Sequence, residues 1–287
     1  MSRGFVNPFK PLSAEERSRY LSDYAEHLRA TDGEVQLAER RLSEREKRMV
    51  ALEAWAPSEV GEHVSGDAQK RSEWLLAATK ANEGESYGVE IELSRFQARG
   101  SFPGFESPDL MLRVLMQESY HCRILAELCR TAGASYESAR PALPTRMFVA
   151  VIERVQATVR WAIVLAGECV GATLFWRLRE ALPSCGFAPS RRDRLDALIR
   201  EIWADEVLHV AFLRAALSPT GLRLSRLLLP IVAFGVFQQV PDLRRLGCTP
   251  SEVLAELRRG IPIPAEIGWL DSDVPAEPLA TLGAAVP

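Results

Sequence analysis

Apolar residues recur at intervals of three and four along almost the whole chain, a spacing typical of helices that bury one face. No convincing alternation of apolar and polar residues with a period of two accompanies it, so strand signals are nearly absent. The sequence therefore predicts an all-α fold.

Proline, glycine and capping residues divide the middle of the chain into long helical segments. Ser107 and Pro108 begin one segment, Gly133 ends it, and Pro183 ends the next. This punctuation predicts four long helices, at about 67–98, 108–132, 145–182 and 190–217. We expect residues 67–217 to form a four-helix bundle.

The flanking segments are predicted to pack on that bundle within a single domain. Residues 1–66 form a helical extension, in which Ser13 and Glu16 have the spacing of a capping box, with a charged helix at about 33–55 and a loop after it. Residues 218–287 hold an apolar helix at about 222–240 and a short helix after Thr249. The tail from Ile261 is expected to be an irregular strap or partly disordered.

Composition excludes several classes of protein. The chain is 47% hydrophobic and 25% charged with a formal net charge of −3, which is ordinary for a globular protein and offers no basic patch to nucleic acid. Its five cysteines include no CxxC pair, and the N-terminus has no apolar stretch of signal-peptide length. We therefore expect a reduced, cytoplasmic protein.

The longest apolar run extends from Leu227 to Phe237 and is interrupted by Pro230 and Gly235. A membrane span needs roughly 20 apolar residues, so no membrane-spanning segment is predicted. The run is interpreted as a buried helix or as a subunit contact in a homodimer.

Two of the four histidines stand in one arrangement. Glu118 and His121 in the second predicted helix, and Glu206 and His209 in the fourth, are each three positions apart. This step brings a carboxylate and an imidazole onto one helical face, where both can bind a single metal ion. One such pair is more often a solvated ion pair, but two on separate long helices predict a metal site between those helices.

The other two long helices each supply a lone acid, Glu85 within Gly-Glu-Ser and Glu168 within Gly-Glu-Cys. From the helical rise, the four acids lie roughly 15 to 24 Å from their connecting loops, which places them in one layer of the bundle. The first helix also contains Glu83, Glu90 and Glu92. Glu92, and after it Glu90, is the alternative to Glu85 as the first ligand.

The predicted ligand set has four carboxylates and two imidazoles. Its formal charge of −4 matches two divalent ions, and its oxygen and nitrogen donors suit iron, with manganese as the alternative. Unpaired carboxylates in a bundle core are costly, which favours a metal site over a structural role. The predicted ligands are Glu85, Glu118, His121, Glu168, Glu206 and His209.

Over about residues 67–217 this pattern resembles the ferritin-like di-iron carboxylate superfamily, in which two helices each carry a Glu and two others each carry a Glu-x-x-His. The GES and GEC contexts are similar to rubrerythrin. The stretch DEVLHVAF resembles the corresponding part of the AurF-type aminobenzoate N-oxygenases.

The resemblance implies a role for each ligand. Glu118 and Glu206 would bridge the two irons. Terminal ligands would come from Glu85, Glu168, His121 and His209. Gln117 and Asp205, each just before its motif glutamate, would orient the opposite histidine through its remaining N–H group.

The resemblance also implies a non-haem di-iron oxygenase, which uses O2 to hydroxylate, N-oxygenate or desaturate a small organic substrate in a biosynthetic pathway. No flavin or nicotinamide motif is visible, so the electrons would come from an external reductase or ferredoxin.

Three departures from related proteins narrow this expectation. Position 125 is Leu where a ribonucleotide-reductase radical subunit carries tyrosine, and Ile202 stands where AurF-type enzymes carry an extra histidine ligand. The second departure weakens N-oxygenation in particular. The missing CxxC pair argues against rubrerythrin, and the long flanking segments argue against ferritin. An iron-binding or peroxide-scavenging protein of those kinds is therefore kept only as the alternative.

Overall fold

The computed structural model describes residues 4–32, 68–99, 108–133, 143–152, 154–267, 269, 270, 274 and 275. The predicted charged helix at about 33–55 and the loop after it lie outside the described residues. Most described residues are helical, so the all-α prediction is confirmed. The helices are α1 (Ala14–Asp32), α2 (Ala68–Arg99), α3 (Pro108–Thr131), α4 (Leu143–Ile152), α5 (Ala157–Ala181), α6 (Pro189–Ala216), α7 (Pro219–Gln239), α8 (Asp242–Arg245) and α9 (Pro250–Arg259).

Helix starts follow the side chains that satisfy free backbone N–H groups. Before α1, the Ser13 hydroxyl accepts from the Glu16 N–H at 3.2 Å, and the Glu16 carboxylate accepts from the Ser13 N–H at 2.7 Å. This is the predicted capping box. Thr249 and Glu252 form the same arrangement at the start of α9.

The prediction of one continuous helix over 145–182 is wrong, because α4 ends at Ile152 and α5 begins at Ala157. The Arg154 guanidinium donates to the Ala150 carbonyl at 2.6 Å, which satisfies an end group of α4. Gln156 then adopts an extended ψ of 146°. Residues 153–156 contain neither proline nor glycine, so the sequence carries no breaker signal there.

The long helices pack as two pairs, α2 with α3 and α5 with α6, and the contact of α3 with α6 joins the pairs into a bundle-like core. Trp74, Trp161 and Trp203 are fully buried within it. Helix α1 packs along α6, and α7 packs on α5. The Arg17 side chain of α1 donates to the Ala215 carbonyl at 2.7 Å and so caps the end of α6.

The two chain ends meet in a small antiparallel sheet that the sequence analysis missed. Strand β1 (Gly4–Val6) pairs with β2 (Ile261–Pro262) on one side and with β3 (Val274–Pro275) on the other. The expectation of an irregular tail from Ile261 is therefore wrong for these residues. Strands of two or three residues are too short to show a period of two, which explains the omission.

One face of α7 is buried against the bundle, and its outward face exposes Leu227, Ile231 and Phe234. Among the described residues, two helical segments are long and apolar enough to cross a membrane, Ala157–Cys185 and Pro219–Gln239. Core helices of soluble proteins pass the same test, and 61% of the apolar window in the first segment is buried. The homodimer and the absence of a membrane span stay predictions.

Candidate metal centre

Helices α3, α5 and α6 bring the predicted ligand residues to the middle of the bundle. Glu118 and His121 lie one turn apart on the face of α3 that meets α6, and Glu206 and His209 lie one turn apart on α6. Glu168 reaches the same place from α5. Both histidines are completely buried, and Glu118 and Glu206 are buried beside them.

Glu118 lies between the two histidines. Its Oε1 atom is 2.6 Å from His209 Nδ1, and its Oε2 atom is 3.3 Å from His121 Nδ1. The two imidazole rings are 5.6 Å apart, centroid to centroid. Each carboxylate oxygen therefore faces a different histidine.

Two further carboxylates complete the cluster. Glu206 Oε1 lies 3.3 Å from His121 Nδ1, and Glu168 Oε2 lies 3.6 Å from His209 Nδ1. Glu118, Glu168, Glu206 and His209 each offer one ligand atom, and these atoms lie within 4.8 Å of one another. This group can hold a metal ion.

The outer ring nitrogen of each histidine faces a side chain of the opposite helix. His121 Nε2 lies 3.2 Å from Asp205 Oδ2, and His209 Nε2 lies 3.0 Å from Gln117 Oε1. Both partner atoms accept hydrogen bonds, so each Nε2 donates its proton and each ring turns its Nδ1 atom toward the carboxylates. The Gln117 amide also donates to Asp205 at 3.1 Å, which ties the two partners together.

Tyr24 is a contributor that the sequence analysis missed. Its hydroxyl donates to Gln117 Oε1 at 3.2 Å, and its ring packs on Phe212 at 5.4 Å between centroids. Tyr24 belongs to α1, outside the bundle helices that carry the motifs. Only its spacing of four residues from Tyr20 and from Leu28 hinted at burial, and nothing in the sequence indicated the contact with Gln117.

The crowding of carboxylates shifts the proton affinities. Burial, with the charges of Glu118 and Glu168, raises the pKa of Glu206 to about 8. For His209, burial alone would lower the pKa, but the Glu118 and Glu168 charges outweigh it and raise the pKa to about 10. His121 has a pKa raised well above its usual value, since Glu118, Asp205 and Glu206 outweigh its burial. The cluster therefore holds protons where a cation would replace them.

The predicted ligand from α2 is only partly described. Glu83, Glu85 and Glu90 lie in α2, but their side chains are outside the described residues, so the place of Glu85 in the site stays a prediction. Glu92 is described, and its side chain lines the same cavity as Glu118.

Two atoms provide a test of whether the site fits a metal ion. Glu118 Oε1 and His209 Nδ1 are buried and lie 2.6 Å apart without hydrogen-bond geometry, and neither has another hydrogen-bond partner among the described residues. Buried polar atoms are nearly always satisfied, so this pair needs an explanation. Two ligands directed at one ion would account for it, so the residues present fit a metal ion.

The carboxylates border a cavity of about 320 Å³ between α2, α3, α4, α5 and α7. Val149 and Ile152 of α4 contribute to its wall, so the break between α4 and α5 shapes the space beside the site. On α5, a Cβ atom at Gly171 would lie 3.1 Å from Glu206 Oε2. Glycine at this position thus makes room for the Glu206 carboxylate.

Comparison with protein-family models, with curated proteins and with solved structures finds no match to the chain. What can be said about function therefore depends on the residues of this site and on the space beside it.

Proposed function

We propose that the protein is a non-haem di-iron oxygenase on a ferritin-like four-helix bundle, and that it oxidises a small organic substrate with O2. The observation that carries the proposal is the convergence of two Glu-x-x-His motifs on one buried carboxylate. Both Nδ1 atoms face Glu118, and an apolar cavity opens beside the cluster. The pairing of α2 with α3 and of α5 with α6 supports the ferritin-like architecture.

The contacts suggest which residues hold each ion. His209 and Glu168 would hold one ion and His121 the other, and Glu118 and Glu206 would be shared by both. The second position lacks a terminal carboxylate among these contacts, and α2 would supply it from position 85 or 92. Donors of this kind, with a formal charge of −4, suit two ferrous ions, with manganese as the alternative.

Bound iron would supply O2 activation with two electrons from an external reductase or ferredoxin. In a hydroxylation or N-oxygenation, one oxygen atom enters the substrate, and the other leaves as water with two protons. In a desaturation, both oxygen atoms leave as water, and the substrate contributes two further electrons and two protons. Ile202 is buried on α6 where the AurF-type pattern has a histidine, which weakens N-oxygenation and leaves hydroxylation and desaturation equally open.

Side chains around the site orient the histidine rings and shape the cavity. Gln117 and Asp205 fix the histidine rings through their Nε2–H groups and so keep each Nδ1 atom toward the carboxylates. The aliphatic walls offer water few hydrogen-bond partners, and exclusion of water by a bound substrate would strengthen electrostatic interactions in the cavity. Such a site suits a small substrate in a biosynthetic pathway of the cytoplasm.

Anaerobic titration with Fe(II), followed by exposure to O2 with a chemical reductant, tests the proposal. We expect about two irons per chain, O2 uptake, and no increase in iron content when Fe(II) is in excess. Glu118→Ala and His209→Ala should abolish iron binding. Asp193→Asn is the control, since Asp193 is an exposed acid on the same helix as His209.

Other outcomes identify other functions. Accumulation of many irons per chain after aeration would indicate an iron-storage protein instead of an oxygenase. Faster consumption of H2O2 than of O2 would indicate a peroxide scavenger of the rubrerythrin kind. No iron uptake by the unchanged chain would leave a metal-free helical protein and overturn the proposal.

A further inference from the structure

The cavity beside the carboxylates has the size of a small ligand site. Its volume of about 320 Å³ lies at the lower end of the range for ligand pockets, roughly 300 to 1,000 Å³. At about 30 Å³ for each water-sized group, this space holds about ten non-hydrogen atoms.

Two glycines keep the cavity open. Gly88 and Gly167 lie inside α2 and α5, where glycine is less favourable than alanine. Neither has a positive φ, and a Cβ atom at either position would meet nothing within 4 Å. A turn or a close backbone approach therefore does not explain them. What both glycines provide is empty space facing the cavity.

The walls carry one kind of polar group. Glu92, Glu118, Glu168 and Glu206 contribute carboxylates, and Trp161 contributes an indole ring. The other lining residues within the described part of the chain are aliphatic residues, methionine and glycine. Among them stands no lysine, arginine or histidine, and no side chain with a hydroxyl or an amide.

This composition selects against an anionic ligand. A carboxylate or phosphate in the cavity would face the carboxylates with no described cation to pair it, and an unpaired buried anion is strongly unfavourable. Away from the four carboxylates, hydroxyl and amide groups would also lose their hydrogen bonds to water without replacement. A hydrocarbon ligand is stabilised on entry, because its apolar surface is removed from water.

We propose that the cavity binds a neutral, mainly hydrocarbon substrate of about ten non-hydrogen atoms. This inference rests on the proposed function for its chemistry and names the substrate class of the same site. It differs from an aminobenzoate, which the AurF-type resemblance would suggest, because that compound is an anion near neutral pH.

Binding is measured anaerobically by isothermal titration calorimetry, on the Fe(II)-loaded and on the metal-free full chain, so that no turnover is needed. The probes are methyl octanoate and octanoate, which share an acyl chain and differ in charge, together with 4-aminobenzoate. We expect methyl octanoate to bind on the order of 100-fold more tightly than either anion. Equal or tighter binding of an anion, or no binding of methyl octanoate, overturns the inference.

Gly88→Leu tests whether the ligand lies in this cavity. We expect it to weaken methyl octanoate binding at least about tenfold, because the added side chain fills the space, while iron content stays unchanged. Gly235→Leu is the matched control, since Gly235 is an exposed helical glycine with open space around it. Unchanged binding in Gly88→Leu would place the ligand elsewhere and overturn the inference.

The two proposals fail in different ways. If methyl octanoate binds and Gly88→Leu removes this binding, but no O2 is taken up in the presence of iron and reductant, the substrate class is retained and the oxygenase is rejected. O2 uptake without binding of a neutral ligand retains the oxygenase and rejects the substrate class.

Discussion

Replacing Glu206 by glutamine separates a metal centre from a structural cluster, because the two roles predict opposite effects on the metal-free protein. The Glu206 carboxyl is buried beside Glu118 and Glu168, which raises its pKa from 4.5 to about 8. At pH 7 it is therefore protonated in the folded chain and ionised in the unfolded one. Glutamine has nearly the shape of the protonated carboxyl and has no charge to gain on unfolding.

The size of the effect follows from linkage. Because the folded pKa is raised, the free energy of unfolding falls as pH rises from 4.5 toward 8, by up to about 1.4 kcal/mol per pH unit. Relative to low pH, the raised pKa of Glu206 lowers the free energy of unfolding by about 1 kcal/mol at pH 5 and by about 3 kcal/mol at pH 7. We therefore expect metal-free Glu206→Gln to be more stable than the unchanged chain by about 3 kcal/mol at pH 7, and by about 1 kcal/mol at pH 5.

Urea unfolding of the metal-free proteins at pH 5 and pH 7 measures these differences, and Fe(II) titration measures the opposite effect on metal binding. The variant should bind iron more weakly, so that saturating Fe(II) stabilises it less than it stabilises the unchanged chain. Asp193→Asn on the same helix should leave both quantities unchanged. A variant that is less stable than the unchanged chain at pH 7, or that binds iron equally well, would refute the reasoning.

Three further predictions concern the residues around the ligands. Asp205→Asn should lower iron affinity by about 10- to 100-fold in an Fe(II) titration, because the His121 ring loses its anionic partner; unchanged affinity would contradict this. Tyr24→Phe should lower the free energy of unfolding by about 1 kcal/mol in urea without changing iron stoichiometry, because Gln117 loses one hydrogen bond. Iron affinity should rise with pH, and binding should release protons, because the raised pKa of His209 means that iron must displace a proton. Titration in weak buffer measures both quantities, and pH-independent binding would contradict the prediction.

Helix boundaries were predictable where a side chain marks them. Ser13 and Glu16 satisfy each other's backbone N–H groups within four residues, so the signal is wholly local. The break between α4 and α5 was not predictable, because residues 153–156 contain no proline or glycine and the helix ends through packing and the Arg154 side chain. The terminal sheet joins Phe5 to Pro262, and no local pattern announces such a distant partner.

For the candidate site, the two Glu-x-x-His spacings predicted that the side chains of both motifs meet, whereas the place of Glu85 stays a prediction. Gln117 and Asp205 lie beside the histidine of the opposite helix, as the motif arrangement predicts, although their influence on a bound metal stays a prediction. Tyr24 and the cavity glycines could not be found this way. Tyr24 reaches Gln117 across 93 positions of sequence, and Gly88 matters only through the empty space around it.

The sequence repeats the Glu-x-x-His motif, but the structure makes the two halves of the site unequal. His121 faces the anionic carboxylate of Asp205, whereas His209 faces the neutral amide of Gln117. A carboxylate partner raises the basicity of a ligating histidine more than an amide does. Tyr24 adds to the difference, because its hydroxyl draws on the same amide oxygen that accepts from His209. Two ions held here would therefore differ in electron density at the metal, with the richer position beside His121. This asymmetry arises from single residues that precede each motif glutamate, so exchanging Gln117 and Asp205 would reverse it without altering any predicted ligand.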